Sequence, residues 1–231
     1  MVNIDDAVVR ILRKRAIVSE QRSLLVGISG IDGSGKGYVT KQIEARLGQH
    51  SIAVANINVD GWLNLPRRRF SPIRPAEHFY ANALRFDELF TELLLPLRNR
   101  RAVTLVADYS DETAENYRRH TYNFKNVDVI LVEGIFLFKR EHRGLFDLAF
   151  WVDCSFQTAL ARALARGQEG LSPAKTIRAY QTIYFPAQKI HFTRDNPSET
   201  ADLILKNDSS SLSLPGQAIS RRVSLKNSLS L

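Results

Sequence analysis

A glycine-rich segment carries the clearest chemical signal in the sequence. GIDGSGKG, from Gly30 to Gly37, fits the pattern G-x-x-x-x-G-K and lies between a strand-like apolar run and a helical run. Glycines let backbone N–H groups approach phosphate oxygens, a helix N-terminus adds partial positive charge, and the lysine adds a full charge. The alternative is a glycine turn that only joins strand to helix. We predict a nucleotide phosphate site made of Gly30, Asp32, Gly33, Ser34, Gly35, Lys36 and Gly37.

The position after the lysine departs from the usual motif. Ser or Thr normally stands there and gives its hydroxyl to Mg²⁺, whereas this chain has Gly37. Glycine has no side chain that can bind a metal, so either water takes that coordination position or metal binding is weaker. Thr40 comes about one helical turn later and is poorly placed to substitute.

Two acidic residues follow predicted strands and suit chemistry at a bound phosphate. Asp60 ends NINVD, Glu133 ends ILVE, and a glycine follows each. Open parallel sheets bind ligands at the carboxyl ends of their strands. Phosphoryl transfer to an alcohol needs an acceptor-orienting base and a carboxylate near the metal. We expect Asp60 and Glu133 to fill these roles; the alternative is a pair of solvated acids at strand ends.

A third acid, Asp108, ends the predicted strand VTLVAD. Its neighbours favour contact with a substrate rather than with a metal, and a helix-capping role is the alternative.

Short β-branched runs alternate with helical patterns along the chain, which positions these residues. The predicted strands are 24–29, 52–59, 103–108, 127–134, 148–153 and 201–207, and one intervening helix runs through FYANALRFDELFTELL. Strands separated by such helices imply right-handed crossovers and a parallel sheet covered on both faces. The predicted fold class is α/β, doubly wound.

We expect one domain over residues 1–207, with an N-terminal helix over residues 1–23. Residues 208–231 are rich in serine and show no sustained period, so we expect a disordered tail.

Composition narrows the classes of partner. The formal net charge of +8 favours anionic partners, but no helix-turn-helix, zinc-finger spacing or aromatic RNA-binding signature accompanies it, so we expect no nucleic acid. The single cysteine fits a reducing compartment. No run approaches the roughly 18 apolar residues of a membrane span, so we expect a soluble, cytoplasmic protein without a membrane partner. The oligomeric state stays open, and a homo-oligomer is compatible with the sequence.

Taken together, these segments resemble the uridine kinase and phosphoribulokinase family of P-loop kinases. The resemblance rests on GISGIDGSGKG, NVDGW, LVEGIF, LFDLAFWVD, ARALARG and ADLILKN, which follow the family's order over residues 24–207. It implies a P-loop NTPase-type sheet with a helical lid, and an enzyme that uses ATP and Mg²⁺. The preference between ATP and GTP stays open.

The resemblance also implies roles for individual residues. Asp60 would be the base that activates the acceptor hydroxyl, and Glu133, with Asp60, would hold Mg²⁺. Arg162 and Arg166 would belong to a lid over about residues 155–195, which closes over the phosphates and excludes water. Their i, i+4 spacing is also that of a solvated helix face.

The acceptor is where the sequence departs from uridine kinases. Those enzymes show Asp-Asp-Phe-Tyr after the second strand, whereas this chain has Asp60-Gly61-Trp62, nearer to the Asp-Gly-Phe of relatives such as bacterial pantothenate kinase. A nucleoside such as uridine is the leading acceptor; pantothenate or a sugar phosphate is the alternative, as is a catalytically impaired nucleotide-binding protein. The candidate substrate residues are Asp108, Tyr109, Arg118, His78 and Tyr122, taken as a set with His120. The basic run 67–69 either meets an anionic acceptor or is a solvated loop.

Overall fold

The computed structural model describes residues 3–167 and 170–208. Its centre is a five-stranded parallel sheet in the order β2-β5-β1-β6-β7. The strands are β1 (Leu24–Gly30), β2 (Val54–Asn58), β5 (Val129–Gly134), β6 (Leu148–Asp153) and β7 (Leu203–Lys206). The three inner strands are the most apolar, and every residue of β1 and β5 is buried. This is the pattern of strands covered on both faces, so the predicted doubly wound α/β class is confirmed.

Helices cover both faces of the sheet and extend beyond its carboxyl edge. They are α1 (Ile4–Ile17), α2 (Lys36–Gln49), α3 (Pro66–Arg69), α4 (Pro75–Asn82), α5 (Phe86–Glu88), α6 (Leu95–Arg100), α7 (Phe156–Arg166), α8 (Pro173–Ala179) and α9 (Phe185–Asp195). A π-helical turn joins α5 to α6, and another joins α8 to α9, so each pair forms one continuous helix. One core lies under α1 and α2, and a larger, aromatic-rich core lies on the opposite face.

Residues 103–108 form the predicted strand, but the strand does not belong to the central parallel sheet in which the sequence predicts it. β3 (Val103–Tyr109) pairs antiparallel with β4 (Arg118–Phe124) in a separate hairpin. Thr104 and Val106 are exposed while Ala107 is buried, so only one face of the hairpin packs on the protein. This one-faced burial is typical of antiparallel ribbons rather than of a central parallel strand. β4 was not predicted, because its polar sequence has no apolar run.

The helix predicted through residues 79–94 is interrupted. α4 ends at Asn82, and Leu84 forms an isolated antiparallel bridge with Leu63 before α5 begins.

None of the helices in the described part of the chain combines the length and the apolar character that a membrane crossing needs. Of the tail predicted over residues 208–231, residues 209–231 lie outside the described residues, while Asp208 is described and its carboxylate accepts hydrogen bonds from Ser155.

Candidate active site

A cavity of about 940 Å³ opens at the carboxyl edge of the central sheet. Five side chains predicted to take part in chemistry line it together: Lys36, Asp60, Glu133, Arg162 and Arg166. They come from α2, from the ends of β2 and β5, and from α7. Parallel strands deliver their carboxyl ends to one edge of the sheet, which explains why residues far apart in sequence meet here.

The glycine-rich loop between β1 and α2 needs glycine at two positions. Gly33 and Gly35 have φ angles of +76° and +88°, which side chains rarely adopt. A Cβ at Gly33 would lie 2.5 Å from the Ala159 carbonyl oxygen of α7, and one at Gly35 would overlap the Asn207 amide. The loop is therefore packed closely against α7 and the end of β7, as well as turned sharply.

Lys36 lies inside this loop rather than in solvent. Its side chain is buried, and Nζ donates a hydrogen bond to the Ile31 carbonyl at 2.9 Å. The loop thus holds the ammonium group where a bound phosphate would meet it.

Arg162 contacts the loop directly. Its guanidinium donates to the Ser34 carbonyl at 3.1 Å and to the Asn207 carbonyl at 2.8 Å. The Asn207 amide also donates to Ser34 O, at 2.7 Å. Arg162, predicted as a lid residue, therefore braces the phosphate loop in this structure. Asn207 was not singled out from the sequence; its only signal was an amide at the end of the last strand.

Asp32, predicted as a nucleotide ligand, points to the lid helices. Its carboxylate accepts a hydrogen bond from the Tyr180 hydroxyl at 2.6 Å and lies 3.5 Å from a guanidinium nitrogen of Arg166. Tyr180 is fully buried and belongs to the π-helical turn between α8 and α9. Asp32 thus links the loop to both helices of the predicted lid. No sequence pattern identified Tyr180.

Asp60 and Glu133 form an acidic pair facing Lys36. The pKa of Glu133 is raised from 4.5 to about 7, chiefly by burial and also by the charge of Asp60, against the opposing charges of Lys36, Lys41 and Arg166. The pKa of Asp60 is also raised, first by burial and then by Asp32, against the opposing charges of Lys36 and Arg166. Asp60 itself lies in a short 3-10 turn, not in β2, and the Asn58 side chain caps its N–H at 2.7 Å.

Magnesium fits this pair of carboxylates. A Cβ on Gly37 would lie 3.4 Å from Glu133 Oε1, so the place of the missing hydroxyl directly faces a carboxylate. No group of three metal-binding side chains occurs among residues 3–167 and 170–208. Mg²⁺ does not need one, because it is commonly held by one or two carboxylates, substrate phosphates and water.

A second group of lining residues, the aromatic wall, is apolar and aromatic with one buried cation. It contains Leu63, Pro66, Arg69, Phe70, Phe79 and Tyr184. Phe70 stacks on Phe79 with ring centroids 5.7 Å apart, and Tyr184 lies 5.0 Å from Phe79. Within the basic run 67–69, the first two arginines are exposed and only Arg69 is buried in the cavity wall.

The structure places the five candidate substrate residues outside the described lining of the cavity. Asp108 pairs with Arg119 across the hairpin at 2.9 Å and caps no helix, so the capping alternative is wrong. The Arg118 guanidinium lies 4.6 Å from the ring centroid of Tyr109. Their role as substrate ligands stays a prediction.

The remaining candidates pack against Gly61 and Trp62, which follow Asp60, or, in the case of His78, lie on α4. Tyr122 stacks on Trp62 at 5.9 Å and meets His120 at 4.6 Å, and Tyr109 packs directly on Gly61, the neighbour of Asp60. His78 is hydrogen-bonded to the Arg68 carbonyl at 2.9 Å.

Comparison with known proteins places this chain in a known group. Residues 25–171 match the family model of the Phosphoribulokinase / Uridine kinase family. A protein named uridine kinase from Staphylococcus aureus strain JH9 is 30% identical over 167 residues, which cover 70% of this chain and 78% of that protein.

Solved structures show the same fold at lower identity. A protein described as a possible uridine kinase from Bacillus stearothermophilus superposes with a TM-score of 0.68 and 22% identity, covering 87% of this chain and 96% of that one. Phosphoribulokinase from Rhodobacter spheroides gives a TM-score of 0.54 at 15% identity, covering 81% and 71% of the two chains.

Proposed function

The chain belongs to the phosphoribulokinase / uridine kinase family of kinases, and from that premise we propose that it transfers the γ-phosphate of ATP to a hydroxyl group of a small molecule. The observation that carries the proposal is the meeting of Lys36, Asp60 and Glu133 in one cavity at the carboxyl edge of the sheet. Together they provide a phosphate-binding cation, a base and a carboxylate suited to a metal.

Asp60 is the proposed general base. It lines the same cavity as the glycine-rich loop and the aromatic wall and interacts electrostatically with both Lys36 and Arg69, so a hydroxyl bound in that cavity can donate its proton to the carboxylate. Burial raises the pKa of Asp60, which makes its carboxylate a stronger proton acceptor. The positive charges of Lys36 and Arg166 favour the ionised form of Asp60 and so oppose this rise in its pKa.

Glu133 and Asp60 are the proposed magnesium ligands. When bound, Mg²⁺ would neutralise phosphate charge and polarise the transferred group. Glu133 lies opposite Gly37, so the metal would rely on carboxylate and water where most P-loop enzymes also use a hydroxyl.

Lys36, Arg162 and Arg166 are proposed to stabilise the charge that develops on the transferred phosphoryl group. Arg166 is 40% exposed and pairs with Asp32 at 3.5 Å, a contact it can exchange for a phosphate. We propose that α7 and the α8–α9 helix form the lid over the site, because Arg162, Arg166 and Tyr180 tie them to the glycine-rich loop.

The nucleoside acceptor, uridine first, is supported by the name of the Staphylococcus aureus relative and by an aromatic wall on which a base can stack. An anionic acceptor, such as pantothenate or a sugar phosphate, is the second candidate because Arg69 is buried in the same wall. A protein that binds ATP without turnover is the rival class, motivated by Gly37.

The test is ADP release from ATP and Mg²⁺ across a panel of nucleosides, pantothenate and sugar phosphates. We expect release that depends on one class of acceptor and is lost in Lys36→Ala. ATP binding without turnover on any acceptor would overturn the kinase proposal and favour the binding-only rival.

A further inference from the structure

Arg69 is buried at a position where an arginine is costly. It lies on α3 and is 3% exposed while lining the same cavity as Asp60, whose charge acts on it. Arginine is rarely buried to this extent without an anionic partner, because removing its charge from water carries a large free-energy penalty.

The contacts of Arg69 do not supply that partner. One Nη atom donates to the Glu112 carbonyl, and the guanidinium lies 5.1 Å from the ring centroid of Phe70. Its Nε is buried and has no hydrogen-bond partner within residues 3–167 and 170–208. Asp60, Asp111 and Glu112 act on it electrostatically, yet none of them forms an ion pair with it in the described part of the chain.

Arg85 is a second buried arginine, and its contacts are those of an arginine with a structural role. Arg85 is 8% exposed, pairs with Glu88 and donates to the Asp108 carbonyl. Its guanidinium also lies over the rings of Trp62 and Tyr117. Arg85 therefore carries its own counter-ion, whereas Arg69 forms no ion pair within the described residues. Both arginines line a cavity and both have an Nε that is unpartnered in that part of the chain, so the missing counter-ion is what distinguishes Arg69.

We propose that Arg69 binds an anionic group, a carboxylate or a phosphate, on the molecule whose hydroxyl Asp60 deprotonates. This rests on the proposed kinase function and, of its two candidate acceptor classes, favours the hydroxy compound that carries a negative charge over the neutral nucleoside. The guanidinium presents its donors in a planar fork that matches either group.

The position of Arg69 separates it from the nucleotide side. Lys36, Arg162 and Arg166 surround the glycine-rich loop, whereas Arg69 is part of the wall formed with Phe70, Phe79 and Tyr184. An acceptor anchored there by its anion places its other end toward Asp60, so Arg69 selects the acceptor and orients its hydroxyl. A neutral nucleoside would leave the buried cation without a counter-ion.

The first experiment measures anion binding without turnover. The nucleotide site is filled with Mg²⁺ and the non-hydrolysable analogue AMP-PNP, and inorganic phosphate or glycerate is then titrated calorimetrically. We expect binding of at least one of them at one site per chain, weakened about 10- to 100-fold in Arg69→Met and partly restored in Arg69→Lys. Arg67→Gln, on the exposed side of the same helix, is the matched control and should bind like wild type.

The second experiment reads specificity through turnover. Each anionic acceptor is compared with its neutral counterpart: glycerate with glycerol, pantothenate with pantothenol, ribulose 5-phosphate with ribulose, and uridine alone. We expect an anionic member to have the higher kcat/KM, and Arg69→Met to raise its KM while changing kcat less. Comparison of carboxylate with phosphate acceptors tells which anion the site takes.

The outcomes separate this inference from the proposed function. Anion binding that is unchanged in Arg69→Met, no anion binding at all, or a best substrate that is neutral uridine would overturn the role of Arg69 while leaving the kinase intact. Failure to bind AMP-PNP would instead count against the kinase proposal. A melting temperature for each variant shows whether a loss reflects unfolding.

Discussion

The phosphate end of the cavity and the β3–β4 hairpin are held together by different kinds of contact. Around the glycine-rich loop, main-chain groups dominate: Lys36 donates to Ile31 O, and Arg162 and Asn207 both donate to Ser34 O. On the hairpin, side chains meet side chains, as in the Asp108–Arg119 pair and the Tyr109, His120 and Tyr122 rings. Side chains thus hold the main chain of the glycine-rich loop, whereas the hairpin has its own backbone ladder and contributes aromatic contacts to Trp62 and Gly61.

The largest expected effect of this difference is at Lys36. Lys36→Met removes the full charge that the loop holds at the phosphate position, so we expect kcat/KM for phosphoryl transfer to fall by at least about 100-fold. Steady-state ADP release is the measurement. A loss of less than about tenfold would mean that the loop amides bind the phosphates without the lysine.

A second effect concerns the acidic pair and can be measured without any acceptor. The pKa of Glu133 is raised from 4.5 to about 7 in the folded protein, so between these pH values the folded state holds more protons than the unfolded state. The stabilisation that Glu133 contributes to the folded state is therefore complete below pH 4.5 and is lost as the pH rises through about 7.

The corresponding variant is Glu133→Gln. Chemical unfolding in EDTA should show the stability of wild type, relative to the variant, decreasing by about 3 kcal/mol between pH 4.5 and 7. If the two stability curves run parallel over this range, burial does not perturb Glu133.

A third effect tests the close packing of the loop on α7. Gly33→Ala places a Cβ 2.5 Å from Ala159 O at a φ of +76°, and we expect it to cost about 1–3 kcal/mol of unfolding free energy. Gly48→Ala is the control, since no atom lies within 4 Å of its added Cβ and alanine favours a helix. Equal stability of the two variants would contradict the packing argument.

The sequence predicts those parts of the site that depend on local patterns and misses those that depend on contacts across the fold. The loop, Asp60 and Glu133 are recognisable because each depends on a local pattern of strand, turn and glycine. Arg69, Tyr180 and Asn207 are not, because their roles arise from contacts across the fold: Tyr180 reaches Asp32, and Asn207 reaches Ser34. The sequence showed a basic run at 67–69, but only tertiary packing decides which arginine faces the cavity.

The hairpin was mispredicted for a related reason. Residues 103–108 have the composition of a strand, but composition does not say which strand they pair with. The pairing with β4 is fixed by a polar partner sequence and by packing of Tyr122 on Trp62. β-strand propensity reflects how well side chains pack on a pleated surface, so it does not identify the sheet that a strand joins. Here the strand joins a separate two-stranded hairpin.

The smallest expected effect is on the hairpin surface. Asp108 and Arg119 have side chains 43% and 65% exposed, so Arg119→Ala should change stability by less than about 1 kcal/mol. Thermal unfolding measures this directly. A larger loss would show that the hairpin is a stronger part of the fold than its exposure indicates.

The most direct test of the account compares two aspartates that both follow strands. Single-turnover transfer from labelled ATP to the best acceptor is measured for Asp60→Asn and Asp108→Asn, with ATP affinity measured in parallel. We expect Asp60→Asn to lower the rate of transfer by about 100- to 10,000-fold with ATP affinity retained, and Asp108→Asn to stay within about fivefold of wild type. Near-normal transfer by Asp60→Asn would contradict the assignment of Asp60 as the base, and with it the proposed mechanism.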